Sequence, residues 1–239
     1  MLEIQNLSVS YRGNLALQEI NCNFAPGEMI GILGPNGAGK STLIKAMLGL
    51  LPAMMGNTVW RGRPLKRQLN KVAYVPQRSQ IDWDYPITAW NVVMMGRTIE
   101  TGLFRRPSPE SEALVKEALD RVGMYDLRHR GIGELSGGQQ QRIFIARALA
   151  KQADLFLFDE PFVGVDQKTE EIMFDIFHDL KKQNKTLLIV NHDLQQTLHH
   201  FDRLVLLNRR LIAIGDRSTV ITPENLARAY GVPLHLLAA

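Results

Sequence analysis

Cysteine, long apolar runs and aromatic residues are all scarce in this chain. A single cysteine, Cys22, occurs in 239 residues. That excludes an internal disulfide and fits a reducing compartment. No apolar run approaches the ~18 residues a helix needs to cross a bilayer. The opening Met1-Leu2-Glu3-Ile4-Gln5 is no signal peptide, because Glu3 and the alternation read as a strand. Together these absences predict a cytoplasmic chain, so any work at a membrane needs a separate partner chain. Internal repeats, low-complexity tracts and long flexible linkers are also missing, which leaves one large domain or one plus a subdomain. Charge is not strongly one-sided: the net is +4. The basic clusters Arg61/Arg63/Lys66/Arg67, Arg105/Arg106, Arg128/Arg130 and Arg209/Arg210 read first as solvated faces. They could also favour an anionic membrane surface. Aromatics make up 7% and are not interleaved with basic residues, which argues against nucleic-acid binding.

What is present is glycine in two informative places. Gly34-Pro35-Asn36-Gly37-Ala38-Gly39-Lys40-Ser41-Thr42 fits G-x-x-x-x-G-K-[ST], the phosphate-cradling P-loop. Its context is right. Met29-Ile30-Gly31-Ile32-Leu33 reads as a buried strand. Ser41 to Leu51 reads as a helix with Leu43, Met47 and Leu50 on one face, and Pro52 and Gly56 follow as stops. Glycines let backbone N–H groups curl around phosphates without Cβ clashes. The helix start adds partial positive charge. Lys40 would reach the β- and γ-phosphates and the Ser41 hydroxyl would coordinate Mg²⁺. The bland alternative is a glycine-rich turn with no ligand. Leu135-Ser136-Gly137-Gly138-Gln139 is the second place. It is polar, opens a helical segment, and can offer further backbone donors to an anion.

Asp154-Leu155-Phe156-Leu157-Phe158-Asp159-Glu160-Pro161 is an apolar run ending in two carboxylates. A strand buried on both faces reads this way, and α/β sheets place ligands at such C-terminal ends. Asp159 would then organise Mg²⁺, and Glu160 would act as general base on a water in line with the γ-phosphate. Alone, the pair could equally be two solvated acids at a strand end.

These motifs in this order resemble the ATP-binding subunit of an ABC transporter over nearly the whole chain. The resemblance implies roles for further residues. Tyr11, in Ser10-Tyr11-Arg12-Gly13, stands where the family stacks an aromatic on adenine. Gln77, in Val75-Pro76-Gln77, matches the Q-loop glutamine that touches Mg²⁺ or the attacking water. Leu135 to Gln139 matches the signature motif, with Ser136, Gly137 and Gly138 as phosphate donors and Gln139 in support. Gly164-Val165-Asp166 matches the D-loop in position, although Ala-Leu-Asp is the more usual wording. His192, in Val190-Asn191-His192-Asp193, matches the switch histidine that contacts the γ-phosphate. On their own, Tyr11 would read as a half-buried strand aromatic and His192 as a strand-end histidine. The signature motif of this family serves a partner's nucleotide. The implied assembly is therefore an ATP-sandwiched homodimer whose hydrolysis lets it part, a two-state element biased by ligand.

The fold class this implies is α/β: a P-loop NTPase core, an antiparallel β subdomain and an inserted helical subdomain carrying the signature motif. The expected division is a core at 1–84 and 151–239 with a helical subdomain at about 85–150, all one ABC ATPase domain. Residues 1–25 read as an antiparallel hairpin turning at Gly13-Asn14, and Thr58-Val59-Trp60 with Gly62 as a second. Cys22 points with Ile20 and Phe24, a core position. Ser108 caps a helix with Pro109 in its first turn, Val115, Leu119 and Val122 on its apolar face, and Gly123 at its end. Strands return at Leu155–Phe158, Leu187–Val190, Leu204–Leu207 and Leu211–Ile214. Thr222-Pro223-Glu224 opens a last helix closed by Gly231, and no regulatory domain is expected after it.

Importers of this family usually keep the ATPase as its own chain, so the resemblance leans toward import. Gln80-Ile81-Asp82-Trp83-Asp84-Tyr85-Pro86-Ile87-Thr88, Glu160 to Asp166 and Thr222 to Leu226 look like the group that moves manganese, zinc or iron. The cofactors implied are ATP and Mg²⁺. The partners implied are a second copy, separate transmembrane permease subunits and, indirectly, an extracytoplasmic substrate-binding protein. The implied location is peripheral, on the cytoplasmic face of the inner or plasma membrane. Trp83 and Tyr85 would help form the groove for a cytoplasmic loop of the permease, or else simply pack around Pro86. The cargo metal should not bind here: His199 and His200 should point to different helix faces, and no Cys/His/Asp pattern, His178 included, has metal-site spacing. The Gln139-Gln140-Gln141 run could be a polar helix face. The rival reading is an ABC ATPase acting on nucleic acid or ribosomes, but those usually carry two ATPase halves or a coiled-coil insertion. A GTPase would need Asn-Lys-x-Asp, and Asn184-Lys185-Thr186-Leu187 lacks the acid.

Overall fold

In the computed structural model, residues 1–11, 13–102, 105–191 and 197–231 are described. Strands β1 (Leu2–Tyr11) and β2 (Asn14–Phe24) form a hairpin that turns at Gly13, where φ is 85°. The hairpin buries Leu2, Ile4, Leu17, Ile20 and Phe24, with the alternation of β2 broken by a register shift between Leu17 and Ile20. Next come β3 (Met29–Leu33), α1 (Lys40–Met47), β4 (Met55–Trp60), β5 (Arg63–Pro64) and β6 (Val72–Val75). Helices α2 (Ala89–Met94), α3 (Thr98–Thr101), α4 (Pro109–Arg121) and α5 (Gly137–Ala150) follow. The chain then runs through β7 (Leu155–Asp159), α6 (Gln167–Lys182), β8 (Thr186–Val190), β9 (Arg203–Asn208), β10 (Arg210–Gly215), α7 (Arg217–Val220) and α8 (Pro223–Tyr230).

Two compact units result, one from Met1–Leu69 with Asn184–Ala239 and the other from Asn70–Gln183. In the first, β2, β1, β4 and β5 lie side by side, antiparallel throughout. In the same unit β3 runs parallel to both β8 and β9, and β10 folds back antiparallel on β9. Every residue of β3 and β8 is buried. That is why both read as unbroken apolar runs rather than as alternation.

In the second unit β6 and β7 pair in parallel, from Val72 opposite Leu155 to Val75 opposite Phe158. Helices α2, α4 and α5 pack on one another. Phe158, Phe162, Phe174 and Phe177 form an aromatic cluster, with centroids 4.5 Å apart for Phe158–Phe177 and 4.7 Å for Phe162–Phe174. Burying each such ring contributes about 1.5–3 kcal/mol. The cluster fixes α6 beneath the carboxylate end of β7. The Ser108 cap forms as expected: its hydroxyl accepts from Ser111 N at 3.2 Å, and Val122 leads into Gly123 at φ 64°. Thr222 does the same for α8, accepting from Asn225 N at 3.2 Å.

Two local expectations change. Helix α1 stops at Met47, not near Leu51, because Gly49 takes φ 74° and turns the chain. Leu50 therefore leaves the apolar face and is 60% exposed. Cys22 shares a face with Ile20 and Phe24 but is only partly buried. It lines a shallow groove with Asn21, Asn23 and Arg203. Desolvation by that burial still pushes its thiol up to about 12, so it stays protonated.

Candidate functional site

The P-loop leaves the buried end of β3 and returns as α1. A Cβ on Gly34 would collide with the Leu207 carbonyl of β9. Gly39 sits at φ 95°, where an added Cβ would come 2.6 Å from the Leu17 side chain and 2.7 Å from the Ala16 carbonyl. Only glycine fits both places. Between them Ala38 N donates to Pro35 O at 3.1 Å, and Arg209 N donates to Ala38 O at 2.8 Å, which ties the loop to the β9–β10 turn. Asn36 and Gly37 are exposed at the tip. Lys40 is only 5% exposed, and its Nζ donates to Gly34 O at 2.8 Å and Pro35 O at 3.0 Å. The ammonium is thus fixed inside the curl of its own loop. Ser41 and Thr42 occupy the first turn of α1, partly exposed. Tyr11 ends β1 and is 46% exposed, a ring face open to stacking.

In the second unit, β7 ends in Asp159, fully buried, and Glu160, whose φ of 52° places a non-glycine residue in the left-handed region. Such backbone costs on the order of 1–3 kcal/mol and aims the side chain away from the strand. Gln77, just past β6, donates from Nε2 to Glu160 Oε2 at 2.6 Å. Burial first, and then the Asp159 charge, push the Tyr74 hydroxyl above the ordinary phenol range. It therefore stays protonated beside that carboxylate. Among the described residues no cluster of three His, Cys, Asp or Glu side chains could hold a metal. The buried Asp159 carboxylate is the kind of hard oxygen donor that suits Mg²⁺ shared with phosphate.

The signature segment forms a capping box. Ser136 Oγ accepts from Gln139 N at 3.4 Å, and Ser136 N donates to Gln139 Oε1 at 2.9 Å. The first-turn N–H groups of Gly137 and Gly138 lie at the helix start, where no carbonyl of the preceding turn is available to them. Asp166 caps α6, accepting from Thr169 N at 2.9 Å and Thr169 Oγ1 at 3.1 Å. The Thr169 N–H, above all, holds its carboxyl below the usual carboxylate range. Gly138 lies beside that cap: a Cβ there would be 3.2 Å from Thr169 Oγ1.

Several sequence readings need revision here. Gln140 and Gln141 are not a polar helix face; they are 4% and 2% exposed. Gln140 bridges Arg78 and the Ile132 carbonyl. Trp83 is turned inward, edge-on to Phe144 at 5.2 Å, with Nε1 donating to Arg78 O at 3.0 Å. Tyr85 alone of that pair is widely exposed, at 60%. His199 and His200 do not diverge: they sit on a tight single turn, and their rings lie 4.0 Å apart. His192 lies outside the described residues.

A family profile described as ABC transporter matches residues 17–163. This chain belongs to the ABC transporter family. As an ABC ATPase it is an ATP-hydrolysing cassette, and its α/β architecture is that of the family. Manganese transport system ATP-binding protein MntB of Bacillus subtilis (strain 168) is 46% identical over 99% of this chain and 94% of its own. Zinc transport system ATP-binding protein TroB of Treponema pallidum (strain Nichols) is 46% identical over 96% of this chain and 86% of its own. Among solved structures, an inward-facing transporter assigned to the metal-chelate ABC type superposes with a TM-score of 0.85 at 30% identity. It covers 97% of this ABC ATPase and 89% of the matched chain. Among the described residues of this ABC ATPase no helix is long and apolar enough to cross a membrane.

Proposed function

We propose that this ATPase energises uptake of a divalent transition metal, manganese or zinc, through separate transmembrane permease subunits. The observation that carries the hydrolytic part is the contact between Gln77 and Glu160. A carboxylate at the end of a buried strand, aimed by strained backbone and held by a neutral amide, is a poised general base. In this reading Gly34 to Thr42 cradle the triphosphate, Lys40 counters its charge and Tyr11 stacks on adenine. Ser41, Gln77 and Asp159 are the oxygen donors that would hold Mg²⁺, which supplies charge neutralisation on the phosphates when bound. Glu160 takes the proton of the attacking water while Gln77 keeps that water in line. His192 is assigned to the γ-phosphate.

Ser136, Gly137, Gly138 and Asp166 are assigned to a nucleotide on a second copy. ATP then joins two molecules, and hydrolysis separates them. The chain acts as one ABC ATPase domain, with residues of about 85–150 as its helical subdomain, peripheral at the cytoplasmic face. An extracytoplasmic substrate-binding protein completes the system on the far side. The metal assignment is supported by the names of the two relatives. It is tested by deleting the gene and measuring accumulation of labelled manganese and zinc. The wild-type chain should restore uptake of one of them, and the Glu160→Gln variant should restore neither. Restored uptake with Glu160→Gln would end this reading.

A further inference from the structure

We propose that Arg78 is a positioning residue that fixes the signature helix to the loop carrying Gln77. The inference rests on the reading above, in which Ser136 to Gly138 serve a nucleotide on a second copy.

Arg78 directly follows Gln77, and its guanidinium turns to the first turn of α5. Nε and Nη2 both donate to Gln140 Oε1, at 3.3 and 2.8 Å. Gln140 Nε2 in turn donates to Ile132 O at 3.0 Å, in the turn just before the motif. The guanidinium also lies flat against the motif backbone. A Cβ on Gly137 would be 3.2 Å from Arg78 Cζ and 3.3 Å from Nη1. Glycine at 137 therefore does two things: it exposes its N–H to an anion, and it leaves room for the arginine behind it. A second tie runs from the Arg78 carbonyl, which accepts from Trp83 Nε1 at 3.0 Å, while the Trp83 ring packs on Phe144 of α5. Gly164, two residues before Asp166, is also near: its Cβ would be 3.9 Å from Nη1. Arg78 thus sits among the Q-loop, the signature turn and the D-loop.

Charge adds a direction. Among the described residues no carboxylate pairs with Arg78. Its partners are a neutral amide and an indole ring, with Cζ 5.5 Å from the Trp83 centroid. A cation beside the positive end of a helix weakens that helix until an anion arrives. Arg78 therefore makes the arrangement of the first turn of α5 responsive to phosphate, and it carries that response to the residue that holds Glu160. Lysine lacks the planar fork that meets one oxygen through two N–H groups.

The test uses full-length protein with Arg78→Ala, Arg78→Lys, Gln140→Leu and the Arg78→Ala/Gln140→Leu double variant. Each is made both alone and with Glu160→Gln. Nucleotide affinity of the monomer, ATP-driven dimerisation by sedimentation, and kcat and KM for ATP are measured. Arg78→Ala should bind nucleotide as a monomer within about twofold of wild type, yet lose about tenfold in dimerisation and in kcat. Arg78→Lys should recover only part of this. The double variant should be no worse than either single one, because one link is being cut. Unchanged dimerisation and kcat in Arg78→Ala would overturn the proposal, as would multiplying losses in the double variant. If Arg78→Ala does not fold, Arg78→Lys and Gln140→Leu carry the same comparison. If Glu160→Gln by itself forms no ATP-dependent dimer, the shared-nucleotide reading fails first, visibly and without any change at Arg78.

Discussion

Gln77 and Glu160 meet at 2.6 Å although 83 positions separate them in the chain. The contact joins the loop after β6 to the end of β7, and the parallel pairing of those strands brings the two ends level. A carboxylate held by a neutral amide can be tested from either side.

Removing the carboxylate charge should stop turnover without removing nucleotide. Glu160→Gln is expected to bind Mg-ATP normally, lose about 10²–10⁴-fold in kcat, and persist as an ATP-bound dimer. Steady-state hydrolysis and sizing with Mg-ATP check this. Wild-type turnover, or a monomer throughout, would refute it. Gln77→Ala should lower kcat with little change in KM, because it frees the base rather than the phosphate site.

Lys40 holds the loop that it would serve. Lys40→Ala should cost most of the ATP affinity, and it also leaves the Gly34 and Pro35 carbonyls without their donor. Nucleotide titration reads the first effect. Unaltered affinity would contradict the assignment.

Gly39→Ala should destabilise the unit itself, not only binding. Its φ of 95° and the approach of Leu17 and Ala16 leave no room for a methyl group. A loss on the order of 1–3 kcal/mol is expected in urea unfolding. A midpoint equal to wild type would show that the loop can relax.

Tyr11 is exposed and ends a strand, so its removal should cost little stability. Tyr11→Ala should weaken nucleotide binding by on the order of 1 kcal/mol, and Tyr11→Phe should keep most of it. Equal affinities for wild type and Tyr11→Ala would assign the ring to the surface alone.

The α6 cap gives a pH signature. The Asp166 carboxyl is held below its unfolded value, chiefly by the Thr169 N–H. The charged cap therefore stabilises the fold above the unfolded carboxylate pKa, and this is lost as pH falls through the lower folded value. Asp166→Asn keeps the cap geometry without the charge. Wild type should be the more stable at neutral pH, with the difference closing in acid. Denaturant midpoints against pH read it, and a gap that widened in acid would have the wrong sign.

Local order carried most of the elements and the motifs into view. The P-loop was legible because its glycines, lysine and flanking strand are contiguous. Buried β3, β7 and β8 were legible because strands covered on both faces are apolar without alternation. Caps at Ser108 and Thr222 follow from side chains bonding three residues ahead. The rest depended on positions far apart in the chain. Leu50 fits an apolar helical face by spacing, but Gly49 turns the chain before it can join that face. Trp83 read either as part of a partner groove or as packing around Pro86, and only the fold shows Phe144 of α5 as its neighbour. Gln140 sits in a run of glutamines with no local cue to which one is buried. Only the packing of α5 puts it behind the signature turn, facing Arg78. Composition and spacing thus determined which residues can cradle phosphate, cap helices and span a buried sheet, because those requirements act over a few residues. Tertiary structure decided which carboxylate meets which amide and which arginine backs which glycine. Those pairings arise only when strands and helices distant in the chain close on a common core.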